Sequence, residues 1–190
     1  MKAVGIALGI VLALALQTTI ARYLTPGANL IDLVFVAVVY IALADGPVAG
    51  LIAGTIAGLA QDTLAATGAS VIAVSAGTVT TRSIIGIGGL AKTTLGFVTG
   101  IIGSQFIVAR PFPRALVFFT ATVAHAIIFV GLYAVLDPGY TPPPYTTILS
   151  QGAANALVGV LLFQLTESLP GFVDRRRMAG GKMRINRRLD

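Results

Sequence analysis

The chain has no cysteine, no tryptophan and one histidine among its 190 residues. Without thiols there is neither a disulfide framework nor a thiolate metal site, and a lone histidine does not make a transition-metal centre. Charge is scarce too. Only 11 % of the residues are Asp, Glu, Lys or Arg, against about 25 % in a soluble domain. That excludes an ordinary aqueous globule. The missing tryptophans leave five tyrosines, a thin belt for marking membrane interfaces. Catalytic patterns are lacking as well: no nucleophile–base pair, no phosphate loop and no paired carboxylates stand out. The run Gly86-Ile87-Gly88-Gly89 lies in an apolar segment without the strand-turn-helix context of a nucleotide site. The sequence therefore reads as that of a non-enzyme with no cofactor.

What the chain does have is apolar length. Hydrophobic residues make up 56 % of it, and a span needs roughly 20 of them to cross a hydrocarbon core about 30 Å thick. The pattern predicts a compact all-α bundle of six transmembrane helices over 3–21, 29–44, 47–65, 84–108, 115–136 and 146–169. Turns fall at Thr25-Pro26-Gly27, Asp45-Gly46-Pro47 and the proline-rich stretch 137–144, and the cluster Arg110-Pro111-Phe112-Pro113-Arg114 is expected to break the chain before the fifth helix. The first segment imitates a secretory signal, but its apolar run continues to Ile20 and further spans follow, so a retained helix is the better reading. Residues 67–82 are small, β-branched and mildly polar. A helix extension, a re-entrant loop and an extracytoplasmic elaboration all fit them, the last being preferred.

The few charges are placed rather than scattered. Segment 171–190 holds Arg175, Arg176, Arg177, Lys182, Arg184, Arg187 and Arg188 against Asp174 and Asp190. With six spans, Lys2, Arg110, Arg114 and that tail share one face, and only Arg22 and Arg82 lie opposite. The asymmetry puts both termini in the cytoplasm. A basic tail on a span-rich body is explained by topology and anionic lipid headgroups, not by nucleic acid.

Two sets of residues inside the spans call for explanation. Gly50, Gly54 and Gly58 recur every four residues in the third helix, and Gly96, Gly100 and Gly103 form a similar strip in the fourth. Such strips let helix backbones approach closely in lipid, and they serve packing within a bundle or a partner's helix. Gly152, Ala156 and Gly159 repeat the device in the sixth. The second set is ionisable: Asp32, Asp62, Lys92 and His125, with Glu167 near the inner boundary beside the arginine tail. Each costs about 3 kcal/mol or more at mid-membrane and asks for a partner or a role. Asp32 and Asp62 are expected near the outer boundary. Lys92 is expected to pair with Asp62, with Asp32 as a second neighbour, and His125 to be a neutral, hydrogen-bonded histidine. Gln17, Gln61, Asn155 and Gln164 are candidate interhelical hydrogen-bonding groups.

Three of these segments, taken in order, resemble a known family. Asp32-Leu33-Val34 is similar to the Pro-Asp-Leu-Val element opening the second helix of the rod shape-determining MreD proteins, with Ile31 in place of the proline. Ala57-Gly58-Leu59-Ala60-Gln61-Asp62 resembles that family's glycine-rich helix closing on an aspartate. The run from Gly86 to Gly96, GIGGLAKTTLG, resembles its Leu-Gly-x-x-x-Leu-Ala-Lys-x-x-x-Gly segment. The longer interval 67–82 departs from the family pattern. The resemblance implies a non-catalytic subunit of the bacterial cell-elongation complex in the inner membrane. It would bind MreC and, through it, RodA, a class B penicillin-binding protein and the actin-like MreB filament, and help organise peptidoglycan synthesis and cell shape. It also implies a fold like the substrate-binding S components of energy-coupling vitamin transporters. A true S component binding a small molecule is the main alternative, and a small proton-linked carrier using Lys92 and His125 is a further one.

Overall fold

The computed structural model describes residues 2–21, 31–76, 85–106, 110–137 and 140–168. Among the described residues every regular element is helical: α1 (Lys2–Leu16, running on as a π-helical turn, Gln17–Ala21), α2 (Leu33–Asp45), α3 (Pro47–Ala76), α4 (Ile87–Gln105), α5 (Pro111–Leu136) and α6 (Tyr145–Ser168). Three helical segments, Pro47–Ala65, α5 and α6, are long and apolar enough to cross a membrane. α2 has 13 residues, a length of about 20 Å, short of a hydrocarbon core of about 30 Å.

Local chemistry sets the boundaries and corrects several expected ones. α2 starts at Leu33, not near 29, because Asp32 stands outside the helix as its N-cap and its carboxylate accepts the Phe35 amide at 2.9 Å. The turn into α3 is made at Gly46, whose φ of +95° is a conformation that other residues rarely adopt. The prolines at 111 and 113 open α5 instead of ending a segment before it. In the first helical turn the amide that proline lacks would have no intrahelical partner anyway. Of segment 67–82, the part up to Ala76 continues α3 as helix, the extension among the alternatives above, and 77–84 lie outside the described residues. The same holds for the 25–27 turn, Arg22, Arg82 and the whole basic tail. As expected, the proline-rich stretch separates α5 from α6.

The helices form two packed groups. In the first, α3 and α4 run antiparallel at backbone contact, with α2 and α1 against them. Ile6, Ile10, Val34, Val38, Ala53 and Ala57 fill that interior. The glycine strips face each other within it. A Cβ on Gly50 would overlap the Gly96 carbonyl, one on Gly54 the Lys92 carbonyl, and one on Gly58 the Gly89 Cα. Gly100 abuts Pro47, and Gly103 lies against Leu43 of α2, so each step of four along α3 is matched by a step back along α4. Lipid offers helices no hydrophobic reason to associate, and this close approach supplies the attraction instead. The hydroxyls of Thr55 and Thr93 bond across the same contact at 3.0 Å.

The second group is the α5–α6 pair. Rings of Phe118 and Phe119 sit over Gly159 and Gly152. At one end the Arg114 guanidinium grips Glu167 through two hydrogen bonds of 2.9 and 2.6 Å and lies over the Phe163 ring. Glu167, expected near the inner boundary beside the arginine tail, bonds Arg114, which the early start of α5 carries into the bundle, only 4 % exposed; the tail lies outside the described residues. The two groups meet along an apolar seam of Phe35, Val36, Val39 and Leu95 against Phe118, Ala121, Ala156 and Phe163.

Candidate functional site

The seam contains a buried ionic cluster. Lys92 projects from the sixth position of α4, on the side away from α3, because its backbone is pressed against Gly54. Its ammonium lies 3.2 Å from Asp32 Oδ2 and 3.2 Å from His125 Nε2. Lys92 is 4 % exposed and Asp32 9 %, while His125 is partly exposed. An ammonium has only donors, so Nε2 accepts, and the neutral ring carries its proton on Nδ1. The Phe35 ring completes the site, 4.7 Å from the His125 ring and 5.7 Å from Lys92 Nζ. The cluster is electrically balanced, one cation against one anion.

Polar side chains from α1 and α6 satisfy the helix start that carries Asp32. The Asp32 amide donates to Asn155 Oδ1 at 3.0 Å, and Asn155 Nδ2 donates to Thr122 Oγ1 at 3.3 Å. The Leu33 amide donates to Gln17 Oε1 at 2.7 Å while Gln17 Nε2 donates to the Ile31 carbonyl at 3.0 Å. Gln17 opens the π turn of α1, so that irregularity points its amide at α2. With the Asp32 carboxylate taking the Phe35 amide, donors otherwise orphaned at a helix N-terminus are met inside the protein. Anion and helix N-terminus also attract each other.

Sequence reasoning brought Lys92 and Asp32 together correctly but gave Lys92 the wrong main partner. Asp62 does not reach it. The antiparallel register sets Asp62 opposite the start of α4, where Oδ2 accepts the Gly86 and Gly89 amides at 2.8 and 3.2 Å. Lys92 is six residues further on, about 9 Å along the axis. Gly86, with φ of +106°, makes the turn that aims those amides at the carboxylate. His125 is hydrogen-bonded to another helix, as expected, though to a charged group. Gln17 and Asn155 do bridge helices; Gln164 is exposed, and Gln61 Oε1 is buried with no hydrogen-bond partner among the described residues. The Arg114–Glu167 pair went unforeseen, since 53 residues separate its members and no pattern links them.

From His125 a column of rings runs along α5 to the α5–α6 connection: Phe129 at 5.9 Å, Tyr133 4.7 Å beyond it, and Tyr140 another 4.8 Å on. Burial, and then the neighbouring Tyr133 phenol, push the Tyr140 hydroxyl up from its ordinary value.

The class that fold and site define is a protein all-helical among the described residues, with three helical segments fit to cross a membrane and a charged cluster enclosed where α2, α4 and α5 meet. No family model matches the chain, and neither a curated protein nor a solved structure matches it.

Proposed function

We propose that the chain is a non-catalytic membrane subunit of the MreD kind, working by assembly. In this reading all six helices lie in the bacterial inner membrane with both termini cytoplasmic, α1 and α2 reaching across together with their flanking residues. The subunit binds MreC, meets RodA, the class B penicillin-binding protein and the MreB filament through it, and lays its basic tail on anionic lipid.

One observation carries the reading. The three segments that resemble the family are far apart in sequence, yet they lock onto one another. Asp32 of the first holds Lys92 of the third, Asp62 of the second caps the helix that bears Lys92, and Gly58 of the second seats on Gly89 of the third. Their charges and glycines are used on each other, as suits a subunit whose outer faces do the work. The test is co-purification with tagged MreC from membranes, followed by crosslinking scanned along the outward faces of α1, α5 and α6. Stable recovery with MreC is expected. Recovery without it, together with tight binding of a vitamin, favours the S-component reading and overturns this one.

A further inference from the structure

We propose that the proline strand joining α5 to α6, Thr141-Pro142-Pro143-Pro144, is a preformed polyproline II docking site for a protein domain presenting a groove lined with aromatic side chains. This inference is independent of the MreD reading. Both flanking helices are long and apolar enough to cross a membrane, and the strand joins their ends, so a partner meets it outside the hydrocarbon core. Sterics set its shape. Each proline ring holds φ near about −65°, and a proline bars the residue before it from the helical region. Thr141, Pro142 and Pro143 each precede a proline, so all three are driven to an extended backbone, and the stretch carries neither helix nor strand. At about 3.1 Å per residue the four residues make a rod about 12 Å long.

The rod is fastened at both ends and bare between them. At one end the Tyr140 amide donates to the Asp137 carbonyl at 3.0 Å, and the Tyr140 ring stacks on Tyr133 of α5 at 4.8 Å. At the other the Pro144 carbonyl accepts the amides of Thr147 and Ile148 at 3.0 and 3.4 Å, which seats it on the first turn of α6. Thr141 and the three prolines are exposed, and Tyr145 beside them is 76 % exposed. Among the described residues no hydrogen bond or ring contact engages a side chain of these five. Prolines lack the amide donors that a β-sheet edge would use, so the rod offers ring faces and ordered carbonyls instead. Grooves of aromatic side chains take such rings between them, the usual mode of proline-rich recognition. Because the rod is already ordered, little conformational freedom is lost on docking. Tyr145, three residues after Pro142, adds an exposed ring within one polyproline turn. No basic residue lies between 137 and 150, so anionic lipid headgroups find nothing to grip and the chemistry favours a protein partner.

The test uses the full chain in membranes of its source cells, with the photo-crosslinking residue p-benzoylphenylalanine in place of Thr141. The expected product is a protein adduct that maps to aromatic side chains of a domain outside the membrane. Excess free peptide Tyr-Thr-Pro-Pro-Pro-Tyr should compete it away. Pro142→Gly combined with Pro143→Gly keeps the length but unlocks the rod, and Tyr145→Ala removes the exposed ring. Each should reduce the adduct roughly tenfold or more. Unfolding in denaturing detergent should be unchanged in both, since all three side chains are exposed. No adduct, an adduct with lipid alone, or a protein adduct mapping away from aromatic side chains overturns the proposal. So does an adduct that the peptide cannot displace or that survives the glycine pair, and so does a glycine pair that unfolds the chain.

Discussion

Gly54→Ala is the sharpest probe of how the first helix group is held. Its Cβ would overlap the Lys92 carbonyl oxygen and stand 2.7 Å from the carbonyl carbon and 2.8 Å from Thr93 Cα. All three are backbone atoms and cannot rotate aside. Carbon contacts settle at about 3.5–4.0 Å, so α3 and α4 must part by about 1 Å. Overpacking of this kind costs about 1–3 kcal/mol, while alanine's better helix propensity returns up to about 1 kcal/mol. The net loss is about 1–2 kcal/mol, and it displaces Lys92 from two partners it now meets at 3.2 Å. Gly9→Ala in α1 makes the same chemical change in open space, with nothing within 4 Å, and should be neutral or stabilising by up to about 1 kcal/mol. The two variants should therefore differ by about 1–3 kcal/mol, or roughly 5- to 150-fold in the folding equilibrium. Unfolding in mixed micelles of rising denaturing-detergent fraction measures it. Equal stability of the two variants would refute the backbone-contact account of α3 and α4.

Other substitutions test the remaining joints by the same unfolding assay. Glu167→Gln removes the anion beside a buried guanidinium; with the Glu167 side chain 36 % exposed, the loss should be about 1–2 kcal/mol instead of the 3–5 of a sealed pair. Asn155→Leu strands the Asp32 amide, while the Thr122 hydroxyl keeps its bond to the Phe118 carbonyl, and should destabilise by about 1–3 kcal/mol. Asp62→Ala uncovers the Gly86 and Gly89 amides and should cost about 1 kcal/mol, with amide exchange rising at the start of α4.

The sequence showed what depends on composition and local pattern. Apolar length gave the helices, Gly46 and the proline-rich stretch gave two of the breaks, and the spacing of Gly50, Gly54 and Gly58 announced a close helix contact. Asn155 and Gln17 were legible because a buried amide in an apolar helix needs a partner. What escaped depends on register and rotation between helices. Asp62 and Lys92 look like partners on a list of charges, yet the glycine register sets them about 9 Å apart along the axis. That Lys92 turns toward Asp32 and His125 follows from Gly54 occupying its other side, which no local pattern reveals. The early start of α5 was misread because prolines signal a break wherever they fall, and only a helix already placed shows them to be in its first turn.

The most direct test of the buried lock is a pair of double-mutant cycles on Lys92→Met, one with Asp32→Asn and one with Asp62→Asn. Asparagine at position 32 retains an acceptor for the Phe35 amide, so the cycle isolates the ionic contact. The structure predicts a coupling of about 1 kcal/mol or more between Lys92 and Asp32, and within about 0.5 kcal/mol of zero between Lys92 and Asp62. The reverse ranking would contradict it.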